Sequence, residues 1–225
     1  MFDYKLVVII GNVGSGKSTV SKMLAKKLGA KLVPADKFFE INPFFPLALE
    51  DRKRWSLASD LWFLKERVKL IKQTLLDVEN QDVVVDSGIP MSLMYANSRL
   101  SSGFFTEEEW KLYESIYNEL TRNVPKPEVV VYMRATVDFV REQIEKRGRE
   151  FEVKHHDGKY LRSLEESLEY VARKLKSEGV KVVVWDVERR GFASTAENLE
   201  MLAGRINLMS VTRDGDNPCW SLMGV

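Results

Sequence analysis

The sequence predicts an α/β fold, with a five-stranded parallel sheet flanked by helices. Five short runs are rich in β-branched residues, and four of them are nearly continuously apolar, which is typical of strands buried on both faces. Stretches with helical periodicity separate successive runs, and this alternation favours parallel strands joined by crossover helices. The predicted strands cover residues 5–10, 31–34, 82–85, 128–133 and 180–185.

Apolar residues at helical spacing predict the main helices between these strands. A long helix is predicted over about 54–79, and Thr106 with Glu109 forms a capping box that begins another. A shorter helix over about 137–147 ends at Gly148, since glycine is common just past a helix C-terminus. Two further helices are predicted over about 161–175 and 196–206.

Length and composition limit the class of protein. The 225 residues, 44% hydrophobic and 30% charged, are typical of a globular chain. We expect one domain over 1–209 and a poorly ordered tail over 210–225, where the periodicity stops. The net charge of +1 supplies no general attraction to nucleic acid or anionic lipid, so neither is expected as a partner. The single cysteine, Cys219, and the lack of a long apolar run favour a cytoplasmic protein.

A phosphate-binding motif follows the first predicted strand. GNVGSGKS, residues 11–18, matches G-x-x-x-x-G-K-[ST] and opens a helix, the context in which this motif forms a P-loop. Its glycines let backbone N–H groups surround a phosphate, the lysine reaches the β- and γ-phosphates, and the serine hydroxyl binds Mg²⁺. The sequence therefore predicts a site for ATP or another nucleoside triphosphate, with Mg²⁺. The predicted contacts are Gly11, Asn12, Val13, Gly14, Ser15, Gly16, Lys17, Ser18 and Thr19.

Acidic residues follow two other predicted strands. Ligands of open parallel sheets lie beyond the carboxyl ends of the strands. Asp86 ends the run DVVVD, where it can hold Mg²⁺ directly or through water. Asp36 follows the second strand and is a candidate general base for a hydroxyl group, with Glu40 as its rival. The alternative for each is a residue that caps the next helix.

Basic residues around Gly148 predict a short lid over about 147–158. Lys146 and Arg147 fall in the last helical turn, where cations also stabilise the helix dipole. That explanation does not cover Arg149, which lies beyond the helix. Because phosphoryl transfer requires cations over the developing charge, Arg147 and Arg149 are candidate catalytic residues.

With these motifs in order, the chain resembles the deoxyribonucleoside kinase family over roughly residues 6–175. The pieces that carry the resemblance are the P-loop, FEINPFF, RWSLASDLWFL, VVVDS, YANSRLSSGFFTEEEW, PKPEVVVYMRAT and IEKRGREFE with YLRSLEESLEY. The resemblance implies a P-loop kinase fold and a homodimer formed through the long helices. It also implies transfer of the γ-phosphate of a nucleoside triphosphate to the 5′-hydroxyl of a deoxyribonucleoside, in nucleotide salvage.

The resemblance assigns roles to individual residues. The family's base falls nearest Asp36, offset by about one residue from its usual distance to Asn42-Pro43. Its acid after the third strand matches Asp86, its lid arginines match Arg147 and Arg149, and its acidic lid residue matches Glu152. Asp60 stands where the family has a base-reading glutamine, so an acceptor-only carboxylate replaces an amide. Ser87 replaces the family's usual arginine.

Two other functions fit the motifs. A nucleoside monophosphate kinase would need extra arginines in the acceptor pocket to hold a second phosphate, and Arg52, Arg54 and Arg99 are available. A nucleotide-binding switch or assembly ATPase would hydrolyse nucleotide slowly and have no acceptor. The compact chain and the lid-like RGR favour a kinase over a switch.

Overall fold

Five parallel strands form the centre of the fold. The computed structural model describes residues 5–34, 37–77, 81–192 and 194–210, so Asp36, Cys219 and nearly all of the predicted tail lie outside the described residues. The strands are β1 (Leu6–Gly11), β2 (Lys31–Pro34), β3 (Val83–Asp86), β4 (Val129–Arg134) and β5 (Lys181–Asp186). Their order across the sheet is β2-β3-β1-β4-β5, and every pairing is parallel.

Helices cover both faces of this sheet. They are α1 (Lys17–Leu28), α2 (Phe45–Glu50), α3 (Arg52–Asp77), α4 (Ile89–Ser101), α5 (Glu107–Thr121), α6 (Val137–Arg147), α7 (Glu150–His155), α8 (Gly158–Ser177), α9 (Val187–Arg190) and α10 (Ala196–Ser210). A 3-10 turn, Lys37–Glu40, follows β2. No helix among the described residues is long and apolar enough to cross a membrane.

The α/β fold with a five-stranded parallel sheet, predicted from continuous apolar runs, is confirmed. All residues of β1 and β3 are buried, and β4 is buried up to its last residue, because helices cover both faces of the sheet. Four of the five predicted strands begin and end one residue too early. The apolar run marks where a strand is buried, whereas its hydrogen bonds extend to the polar residue at its carboxyl end.

The predicted helix ends have the expected chemistry. The hydroxyl of Thr106 accepts a hydrogen bond from the Glu109 amide at 3.1 Å, and Glu109 accepts from the Thr106 amide at 2.8 Å, which completes the capping box. Gly148 ends α6 with φ 66°, in the left-handed region that favours glycine. Helix α4 gave no periodic signal because it is buried on nearly all sides, including at Ser92 and Ser98.

Sheet order decides which loops meet. Strand β1 lies between β3 and β4, and Ile9 is in register with Asp86 while Pro34 of β2 pairs with Asp86 from the other side. The carboxyl ends of β2, β3 and β1 therefore lie side by side. Asp86 ends β3, the middle strand of the three, and the P-loop follows its neighbour β1.

Candidate active site

The P-loop curls around the carbonyl oxygen of Asn12. The Ser15 amide donates to that oxygen at 3.2 Å, and Nζ of Lys17 donates to it at 2.7 Å. The Asn12 side chain holds the loop in place, since its Oδ1 accepts from the Val13 amide at 2.8 Å and its Nδ2 donates to the Leu161 carbonyl at 3.1 Å. The loop is thereby attached to α8.

Helix α1 begins at this loop without a side-chain cap. Gly16 occupies the N-cap position with φ 85°, and glycine has no side chain to cap the first amides of the helix. Those amides and the positive end of the helix dipole together form an anion site. A Cβ on Gly16 would lie 2.5 Å from the Phe192 ring, so both the backbone conformation and the close contact require glycine here.

The predicted acids lie in different surroundings. Asp86 is buried at the end of β3, and the Ser87 hydroxyl donates to its Oδ1 at 3.2 Å. Ser87 adopts φ 58°, a left-handed conformation that is rare for residues other than glycine. Glu40 is exposed and borders an adjoining pocket with Lys154 and His155, but it does not line the main cavity.

The serine at the start of α1 and the acid of β3 suit a magnesium ion. Ser18 lines the cavity described below, and Asp86 ends the strand next to β1. A hydroxyl oxygen and a carboxylate oxygen are the donor types that Mg²⁺ accepts beside phosphate oxygens. The residues present therefore fit the ion that the P-loop motif implies.

The predicted lid consists of the end of α6, helix α7 and the turn that follows. Arg149 donates to Oε1 of Glu152 at 3.1 Å, and Nη1 of Arg147 lies 3.6 Å from the same oxygen. The Glu152 carboxylate is buried, whereas both arginines are about one-third exposed. Arg149 also stacks on Phe39, 5.2 Å from its ring centre. Both lid arginines and Glu152 line the cavity, as their predicted roles require.

One cavity joins the P-loop to the lid and to helices α3, α4 and α8. Lys17 and Ser18 line it at the P-loop, and Arg147, Arg149 and Glu152 line it at the lid. Aromatic side chains form much of its wall between these groups. They are Phe39, Phe45, Phe63, Tyr95, Phe151 and Tyr160. A cavity with apolar walls and a few polar groups is the usual form of a small-molecule site.

A buried ion pair lies at the α3 end of this cavity. Nε of Arg99 donates to Oδ2 of Asp60 at 3.3 Å, and Nη1 of Arg99 lies 3.4 Å from the Tyr160 hydroxyl. Burial raises the pKa of Asp60, and the charges of Arg99 and Arg67 act against that shift. Arg67 donates to the Ser92 hydroxyl at 2.8 Å. Asp60 thus lies in the cavity, as predicted for a substrate-binding residue.

Several buried polar atoms around the cavity have no hydrogen-bond partner among the described residues. They include Nε of Arg67, Oε2 of Glu152 and Nδ1 of His156. Burial, followed by the charges of Arg52 and Arg99, lowers the pKa of His156 to about 3, so its ring is neutral at pH 7. Each unpaired buried group costs about 1–3 kcal/mol. Such a cost is typical of sites where a polar ligand completes the hydrogen bonds.

Sequence reasoning missed part of this site. Arg67 gave a weak signal, since it follows Asp60 by seven residues and so shares its face of α3. Arg99, named above only as an arginine available for a second phosphate, is buried in the cavity and pairs with Asp60. His156 also lines the cavity, and its ring lies 5.1 Å from that of Tyr160. No local pattern identifies either residue.

Comparisons with known proteins agree with this geometry. A family model described as deoxynucleoside kinase matches residues 7–209. A deoxyguanosine kinase of Bacillus subtilis (strain 168) is 28% identical over 209 residues, which are 91% of this chain and 97% of that protein. A deoxyadenosine/deoxycytidine kinase of the same organism is 31% identical over 155 residues, 66% of this chain and 68% of that protein. A deoxyadenosine kinase from M. mycoides, solved with the products dCMP and dCDP, superposes with a TM-score of 0.75 at 23% identity, covering 90% of this chain and 99% of that one.

Proposed function

The chain belongs to the deoxynucleoside kinase family, and from that premise we propose how its residues carry a phosphoryl group to the 5′-hydroxyl of a deoxyribonucleoside. The observation that carries the proposal is the single cavity that runs from Lys17 of the P-loop to the Asp60–Arg99 pair. It offers cations for the phosphates at one end and a polar, aromatic-walled subsite for the nucleoside at the other.

The donor nucleotide binds at the P-loop. The first amides of α1 and the ammonium group of Lys17 hold the β- and γ-phosphates of ATP. Ser18 and Asp86 hold Mg²⁺, which supplies positive charge to the phosphate oxygens when it is bound. The remaining P-loop residues, with Thr19, contribute chiefly backbone contacts.

Asp36 acts as the general base. The new bond forms between the 5′-oxygen and the γ-phosphorus while the bond to the β,γ-bridging oxygen breaks, and the hydroxyl proton passes to the carboxylate. Support comes from Pro34, two residues earlier, which pairs with Asp86 beside β1. Glu40 is the weaker candidate, since it is exposed and borders a different pocket.

The lid supplies the remaining charges. Arg147 and Arg149 stabilise the negative charge that develops on the transferred group, and Glu152 positions them while its Oε2 accepts from the sugar.

The arginines at the nucleoside end of the cavity do not favour a nucleoside monophosphate as the acceptor. Arg99 is already neutralised by Asp60, and Arg52 donates to the His155 carbonyl at 2.6 Å and stacks on Tyr160.

Paired substitutions test this assignment. Lys17→Ala should abolish transfer while the fold is retained, whereas Lys22→Ala, an exposed lysine on the same helix, should leave the rate unchanged. Asp36→Asn should lower kcat by roughly 10²–10⁴-fold, the range for a positioned base, and Glu40→Gln should cost much less. Near-normal turnover of Lys17→Ala would refute the P-loop chemistry. The reverse order for the two acids would assign the base to Glu40.

The homodimer and the cytoplasmic location remain predictions. Both are consistent with a kinase that serves nucleotide salvage. Light scattering of the purified protein at micromolar concentration should give twice the chain mass of 25.9 kDa, and a monomer at that concentration would contradict the first of them.

A further inference from the structure

The nucleoside end of the cavity is specific in its hydrogen-bonding chemistry. Asp60 and Arg99 form its polar floor, with Arg67 close enough for its charge to act on Asp60. The charges of both arginines act on Asp60, and Arg99 is in direct contact with it, so protonation of Asp60 would leave Arg99 buried without its counter-ion. The carboxylate form is therefore favoured. In that form Asp60 only accepts hydrogen bonds, and arginine only donates them.

One oxygen of Asp60 is available to a ligand. Oδ2 accepts from Nε of Arg99, whereas Oδ1 has no hydrogen bond among the described residues. The Asp60 side chain lines the cavity, where a ligand can meet this oxygen. Each carboxylate oxygen carries two lone pairs, so Oδ2 retains capacity beside its bond to Arg99.

The four bases present different edges to such a floor. Guanine alone carries two adjacent donors, N1–H and the 2-amino group, next to a carbonyl acceptor at C6. Adenine and cytosine each place a single amino group beside a ring nitrogen that carries a lone pair. Thymine has one N–H between two carbonyl oxygens. Guanine alone can give a donor to both oxygens of the Asp60 carboxylate. Adenine and cytosine can give it one donor, with their ring nitrogen accepting from Arg99 instead, and the carbonyl oxygens of thymine are repelled by the carboxylate.

We propose that Asp60 and Arg99 make this kinase selective for deoxyguanosine, with the carboxylate accepting from N1–H and the 2-amino group while the guanidinium donates to the C6 oxygen. This inference rests on the proposed function, because it names the acceptor for the same cavity. The aromatic side chains of Phe63 and Tyr95 line the cavity beside Asp60 and offer apolar walls for a flat base.

The test measures kcat/KM for deoxyguanosine, deoxyinosine, deoxyadenosine, deoxycytidine and thymidine at saturating ATP. Deoxyinosine keeps N1–H and the C6 oxygen but lacks the 2-amino group. The wild-type protein should prefer deoxyguanosine to deoxyinosine by about 10–100-fold, the effect of one hydrogen bond to a charged group. Because this comparison uses the unaltered protein, it does not depend on whether a variant folds.

Asp60→Asn keeps the size of the side chain and replaces one acceptor by a donor. It should reduce the deoxyguanosine to deoxyinosine ratio to within about threefold and raise deoxyadenosine or deoxycytidine relative to deoxyguanosine, since an amide can donate to a ring nitrogen. Glu66→Gln makes the same chemical change on the same helix, outside the cavity lining, and should alter neither ratio.

The outcomes separate the two proposals. A wild-type protein that prefers deoxyadenosine, deoxycytidine or thymidine, or an Asp60→Asn variant with an unchanged deoxyguanosine to deoxyinosine ratio, would overturn the specificity proposal and leave the kinase function standing. A protein that phosphorylates none of the nucleosides would overturn the proposed function instead.

Discussion

Replacing Arg99 by methionine should destabilise the protein because it leaves Asp60 as a buried carboxylate without its nearest counter-ion. The two side chains are 11% and 5% exposed, and their contact is 3.3 Å. Removing one partner of a buried ion pair costs about 3–5 kcal/mol. Arg67 still acts on Asp60, so we expect the lower end, about 3 kcal/mol. For a chain of this size that corresponds to a fall in Tm of roughly 6–12 °C.

A double-mutant cycle isolates this interaction. The free energy of unfolding is measured by urea titration at 25 °C for wild type, Arg99→Met, Asp60→Leu and the double variant. The double variant should be more stable than Arg99→Met alone, because an apolar pair of similar volume replaces an ion pair with little loss. An Arg99→Met variant within 1 kcal/mol of wild type, or a double variant no more stable than it, would refute the pairing.

The same variant has a predictable pH dependence. Burial already raises the pKa of Asp60, and loss of the Arg99 charge raises it further. The folded state then binds a proton on the Asp60 carboxyl group more tightly than the unfolded state does. Protonation of Asp60 therefore adds to the stability of the variant at low pH, and this contribution is lost as pH rises. The penalty of Arg99→Met should therefore be smaller at pH 5 than at pH 8.

Three further predictions concern the rest of the site. Gly16→Ala should weaken ATP binding at least roughly tenfold and destabilise the fold by more than Gly29→Ala does, and calorimetry measures both effects. Both glycines have a left-handed backbone, for which strain alone costs about 1–2 kcal/mol, but only a Cβ at Gly16 would meet Phe192. Burial lowers the pKa of His156 to about 3, so between pH 6.5 and pH 3 this ring is protonated in the unfolded state and neutral in the folded state. The free energy of unfolding therefore falls as pH drops through this range, by at most about 1.4 kcal/mol per pH unit. His156→Phe should remove that slope in urea titrations, and an unchanged slope would assign it to other groups. Arg149→Ala should lower kcat with a smaller change in acceptor KM, because lid cations act on charge that develops in the transition state; a pure KM effect in steady-state assays would mean that Arg149 binds the ground state.

The parts of the fold that the sequence predicts are those with local signals. A buried strand such as Val83–Asp86 is an apolar run, a capping box needs only Thr106 and Glu109, and the P-loop is a contiguous motif. Each is decided by residues within a few positions of one another. The parallel pairing then follows from the helices between the strands, because short connections cannot join parallel neighbours.

The nucleoside end of the cavity could not be predicted in the same way. Asp60 and Arg99 are 39 residues apart, on α3 and α4, and Tyr160 comes from α8 a further 61 residues along the chain. Their contact depends on how three helices pack, which no local pattern encodes. An arginine near the end of a helix looks the same in sequence whether it is solvated or pairs with a buried carboxylate.

The central claim is phosphoryl transfer from ATP to the 5′-hydroxyl of a nucleoside, and the identity of the product tests it most directly. Purified protein, ATP, Mg²⁺ and one deoxynucleoside are followed by ³¹P NMR, with the deoxynucleoside 5′-monophosphate as acceptor in a parallel reaction. We expect ADP and the 5′-monophosphate in equal amounts, and no diphosphate product in the parallel reaction. Release of ADP without consumption of the nucleoside, or conversion of the monophosphate to a diphosphate, would contradict the account.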